Sequence, residues 1–88
     1  MTPADSKYYE DLIELFALEG WKTLADEASQ DIQVLTEVLA VESDILKIRE
    51  IQGRMVVLKR IRDLEKLTRE SIETIEEQES MSSEEEVA

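Results

Sequence analysis

The stretch VLAVESDILK, residues 38–47, decides what this chain can become. Apolar residues at helical spacing lead into it and resume beyond it. An unbroken helix through it would be about 55 residues long, a rod of more than roughly 80 Å whose apolar stripe only another chain could cover. A break instead lets two arms lie side by side. No Gly or Pro marks a break. Even so, the apolar register is lost over Ala40–Asp44, Ser43 and Asp44 are both good N-caps, and the net charge changes sign just beyond. These three signals predict a tight helix–helix turn at 40–44.

The arms on either side have complementary patterns. Before the turn, Trp21, Ala25, Ala28, Ile32, Leu35 and Leu39 follow one another at four- and three-residue intervals, which is a heptad seam. Leu24 and Val38 widen that seam, and two alanines within it permit close approach. After the turn, Ile48, Ile51, Met55, Leu58, Ile61, Leu64, Leu67, Ile72 and Ile75 form the matching stripe, broadened by Val56 and Val57. Gly53 interrupts this helix at a cost of roughly 0.8–1 kcal/mol relative to alanine, which predicts close backbone packing or a kink there. Charge follows the same division. Residues 1–46 hold eleven acids and two bases (−9), residues 47–69 eight bases and three acids (+5), and residues 70–88 eight acids and no base (−8). An acidic arm and a basic arm attract one another when antiparallel.

Ahead of the hairpin a short helix is expected. Asp5 or Ser6 serves as its N-cap, Tyr8, Tyr9, Leu12, Ile13, Leu15 and Phe16 give it a broad apolar face, and Gly20 is its natural stop because glycine takes the left-handed conformation without strain. The reading is therefore all-α: helices at about 6–19, 21–40 and 45–78 forming one domain over residues 1–78, a short N-terminal helix leading into an antiparallel helical hairpin. Residues 79–88, dense in Glu and Ser and without periodicity, are expected to be a disordered acidic tail.

Composition excludes several chemistries. Hydrophobic residues are 42% of the chain and charged residues 36%, a balance suited to extended helices that bury one stripe rather than to a thick core. Cysteine and histidine are both absent, which removes thiolate nucleophiles, disulfides, the commonest general base and the commonest metal ligand. Ser43, Ser71 and Ser80 have no histidine to activate them. The acids at Glu73, Glu76 and Glu77, or at Asp26, Glu27 and Asp31, lack the loop that gathers a calcium cage. No enzyme activity, metal, cofactor or small-molecule substrate is expected. There is no basic-then-apolar leader and no apolar run of the roughly 18–20 residues that spans a bilayer, so neither secretion nor membrane insertion is expected.

Two groups of residues are candidates for partner binding. Tyr8, Tyr9, Phe16 and Trp21 are the aromatic group. With the turn near residue 43, Trp21 falls opposite Leu64 to Leu67 at the open end of the hairpin, where it either plugs the core or stays exposed as an anchor for another protein. Lys59, Arg62, Lys66 and Arg69 are the second group, a basic stripe that is the footprint of phosphate binding in a basic protein. In so acidic a chain, with no aromatic or Gly-rich element beside the stripe, the stronger expectation is pairing with Asp26, Glu27 and Asp31 across the hairpin, or with a neighbouring subunit.

The residues F-x-x-E-G-W-x-x-L at 16–24, followed by Gln52-Gly53-Arg54 and Leu58, resemble a group of small helical proteins of tailed bacteriophages encoded among virion structural and assembly genes. The resemblance covers most of residues 12–65, with a shorter connection between the arms in this chain. It implies a virion component or assembly factor, placed in the virion or host cytoplasm, that binds other phage structural proteins, and it transfers no catalytic residue. From the residues themselves, the apolar stripe is long enough to expect self-association or partner docking. A different class, an acidic DNA mimic that inhibits a host nucleic-acid-binding enzyme, is the alternative. The positive block at 47–69 counts against that mimic, and the overall charge counts against nucleic acid as a partner.

Overall fold

The computed structural model describes the backbone of residues 1–87 and the side-chain surroundings of residues 1–81. Three helices account for nearly all of it: α1 Pro3–Phe16, α2 Glu19–Val41 and α3 Ile45–Val87. No strand occurs among the described residues. The α2–α3 connection is the predicted turn. Glu42 closes α2 in extended backbone, its N–H donating to the Val38 carbonyl, and the Asp44 carboxylate opens α3 by accepting from the amides of Leu46 (2.9 Å) and Lys47 (3.4 Å). The two arms then run antiparallel over a core of Ile32, Ile51 and Met55, flanked by Leu35, Leu39 and Leu58. All six seam positions of α2 are buried or half-buried.

Several boundaries differ from the sequence reading, each for a local reason. Helix α1 starts at Pro3 rather than near residue 6, because Thr2 is its cap: the Thr2 hydroxyl oxygen accepts from the Asp5 amide at 3.1 Å. Proline at the first helical position loses no hydrogen bond, since that amide would be unpaired in any case. The α1–α2 corner lies at Ala17–Leu18 and not at Gly20. The last turn of α1 tightens to i→i−3 bonds (Ala17 N–H to Glu14 at 3.2 Å, Leu18 N–H to Leu15 at 3.0 Å), and Leu18 then turns extended to start α2. No described glycine has a positive φ, so Gly20 sits in the first turn of α2 without serving as a left-handed stop. Gly53 likewise marks neither close packing nor a break: α3 continues through it, and a Cβ there would meet nothing within 4 Å.

Helix α3 also outruns its expected end at 78. No helix breaker follows Gly53, and glutamate is a good helix former, so the backbone stays helical through Val87. The segment 79–88, expected as a disordered tail, is thus part of α3 as far as its backbone is described. Its side chains from residue 82 onward, and Ala88 altogether, lie outside the described residues.

Helix α1 packs on the second half of α3 as well as on α2, and the Met1 ammonium pairs with Glu79. This contact resets the covered face of α3. Leu67, expected in the seam, is exposed, while Thr68 is buried. Beyond the level of Glu65, which Trp21 reaches at the start of α2, the helix that α3 packs against is α1, so the buried position shifts.

Candidate functional site

The aromatic group divides into an inner and an outer pair. Phe16 ends α1 and Trp21 lies in the first turn of α2, so the two-residue corner brings their rings to 5.2 Å between centroids at an angle of 52°. Both are buried, at 3% and 6% exposure. Helix α3 closes around them with two residues of its own. The Trp21 indole N–H donates to Glu65 Oε1 at 3.4 Å, Glu65 Oε2 accepts from Arg69 Nε at 3.2 Å, and the Arg69 guanidinium carbon lies 5.9 Å from the centre of the Phe16 ring. Indole, carboxylate, guanidinium and phenyl ring form a closed circuit that ties all three helices together. Trp21 and Phe16 therefore serve as the plug of the open end rather than as an exposed anchor.

Glu65 is the member of this circuit that the sequence reading passed over. Its signal was present: an acid inside a basic block, four residues before Arg69, is placed to pair along the helix.

The outer pair is Tyr8 and Tyr9, packed edge to face at 5.2 Å and 70°. Tyr9 is half-buried and Tyr8 is 58% exposed. Together with Arg60, Leu64, Leu67 and Thr68 of α3 they border a recess of about 220 Å³. Leu67, itself 51% exposed, gives this recess an apolar rim. The rotation that removed Leu67 from the seam is what places it here.

The basic stripe is not a single unit. Arg62 is bound to its neighbour, donating from Nε to Asp63 Oδ1 at 2.7 Å and from Nη2 to Oδ2 at 3.0 Å. That bond from Arg62 holds the Asp63 carboxyl below the ordinary carboxylate range, with the charges of Arg62, Lys66 and Lys59 acting in the same direction. It correspondingly raises the Arg62 guanidinium. Arg69 belongs to the aromatic circuit. Lys59 and Lys66 are exposed and have no ion pair within 4 Å among the described residues. Arg62, Lys66 and Arg69 also line one wall of an open groove of about 840 Å³, facing Ile13 of α1. The expected ion pairs across the hairpin are not formed: among the described residues no base of the stripe pairs with Asp26, Glu27 or Asp31. Block charges attract the arms at a distance without setting the side-chain separations that a pair requires.

Among the described residues no group of three acids is arranged to hold a metal ion, and no helix is long and apolar enough to cross a membrane. In comparisons with known proteins, no family model, curated protein or solved structure matches the chain.

Proposed function

We propose that the chain is a non-enzymatic helical protein–protein interaction module, serving as a virion structural or assembly accessory protein of a tailed bacteriophage. The observation that carries the interaction reading is the pairing of Tyr8 with Leu67 around an open recess. An aromatic ring and a leucine, each more than half exposed, stand beside an arginine in a recess whose lining includes no carboxylate among the described residues. Aromatic and arginine side chains at a recess are the anchors that protein interfaces favour. The phage assignment rests on the F-x-x-E-G-W and Gln52-Gly53-Arg54 resemblance alone. The acidic-mimic alternative draws on the acids of α2 and of the C-terminal segment of the sequence. Lys59 and Lys66, exposed and without an ion partner among the described residues, weigh against it.

Recovery of partners with tagged full-length chain from infected cells tests the proposal. A virion or assembly protein should be recovered at physiological salt, and Tyr8→Ala should reduce that recovery at least about tenfold with helicity by circular dichroism unchanged, as expected for an interface anchor. Capture only of a nucleic-acid enzyme, lost steeply as salt rises, would replace this reading with the mimic.

A further inference from the structure

Between α2 and α3 lies an open groove of about 470 Å³, walled by Val34 and Leu35 on one side and Val57 and Leu58 on the other, with Asp31 and Arg54 at the same level. Val34 and Val57 are 56% and 59% exposed. Leu24 and Val38, each seven residues from Asp31 and so on the same face of α2, prolong the apolar strip in both directions. Neither Asp31 nor Arg54 has an ion pair within 4 Å among the described residues.

We propose that this face seats a second copy of the chain, laid groove to groove about a two-fold axis parallel to the helices, so that α2 of each copy covers α3 of the other in a four-helix bundle. The proposal rests on the interaction-module reading and names one partner for it.

Symmetry and charge select this arrangement. A two-fold axis parallel to the helices keeps every residue at its own height. It therefore brings Asp31 of one copy to the level of Arg54 of the other, and the symmetry generates the same contact a second time. Residues 20–41, with one base and four acids (−3), then lie over residues 47–69, with eight bases and three acids (+5), and every neighbouring helix pair is antiparallel. An in-plane axis perpendicular to the helices would instead lay α2 on α2 and α3 on α3, setting like charges together.

The size of the face is consistent with a dimer. It is about 30 Å long and two helices (about 20 Å) wide, or roughly 600 Å² per copy. A standard stable interface buries about 800 Å² per partner, so association at micromolar rather than nanomolar concentration is expected. The acids of residues 70–79 of both copies lie at one end, where physiological salt screens their repulsion over about 8 Å.

Sedimentation velocity of the full chain, of Asp31→Arg, of Arg54→Asp and of the double reversal tests this, with circular dichroism to verify that the helices persist. Both residues are exposed, so the monomer fold should tolerate the changes. At about 100 µM the parent chain should show twice its 10.1 kDa mass. Each single reversal should weaken association at least about tenfold, and the double reversal should restore it to within a few-fold. A folded monomer throughout, single reversals without effect, or a double reversal that fails to restore pairing would each overturn the proposal. Recovery of a virion protein by a strictly monomeric chain, still sensitive to Tyr8→Ala, would remove the self-pairing while leaving the function proposed above intact.

Discussion

Gly53 stands in the middle of α3 with open space where a Cβ would be, at a negative φ, in a helix that continues unbroken on both sides. Within the monomer nothing requires glycine there. Its remaining effect is the backbone entropy lost on ordering it, so Gly53→Ala should stabilise the fold by about 0.8–1 kcal/mol. For a domain of this size that corresponds to a rise in Tm of roughly 4–8 °C, measurable by calorimetry or circular dichroism. A loss of stability would mean that another part of the molecule approaches the site. Trp21 represents the opposite case, a residue whose neighbours define its role. The sequence offered its burial beside Phe16 as one of two readings, plug or exposed anchor, and the structure buries it at 6% exposure. Its bond to Glu65 was not legible, since that depends on the register of a helix 44 residues away.

Among the elements, the turn at 42–44 is held by two side chains: Glu42 Oε1 accepts from the Asp44 amide at 3.1 Å, and Asp44 caps α3. Asp44 accepts from two amides of the first turn of α3, whereas Ser43 makes no hydrogen bond of this kind among the described residues. Asp44→Ala should lower stability by about 0.5–2 kcal/mol in urea unfolding, and Ser43→Ala should change it by less than about 0.5 kcal/mol. Equal losses would contradict the assignment of the cap. A gain at Asp44 would contradict the turn itself, because alanine favours a continuous helix. Apolar periodicity made the two arms legible, since it reports which face of a helix is covered. The helix ends were less so. Thr2-Pro3 is a start signal written in the sequence, but Asp5 and Ser6 offered a rival cap three or four residues nearer the apolar run. Gly20 suggested a stop that Leu18 provides by adopting extended backbone. Leu67 and Thr68 exchanged places because the helix covering α3 changes from α2 to α1, a tertiary fact that periodicity along one strand of sequence does not contain.

The whole molecule is long and thin, 61 × 29 × 18 Å with a radius of gyration of 18.6 Å. A compact globule of this length would have a radius of gyration near 12 Å. With six hydrophobic residues in the buried core among the described residues, all between 3% and 8% exposed, the fold has little stability to spare. Its two broad sides differ. The groove with Val34 and Val57 is apolar, and Lys59, two residues on from Val57, points nearly the opposite way with Lys66 one heptad beyond. An amphipathic hairpin of this kind has one side suited to covering and another suited to solvent, and both functional proposals depend on the arms being folded back. The direct test is a pulsed electron-spin distance between labels at Lys22→Cys and Lys66→Cys, in a chain with no cysteine of its own, diluted with unlabelled protein. Both positions are exposed. Antiparallel arms with axes about 8–10 Å apart predict a label separation of roughly 15–25 Å. A separation near 65 Å, the length of about 44 residues of straight helix, would contradict the hairpin.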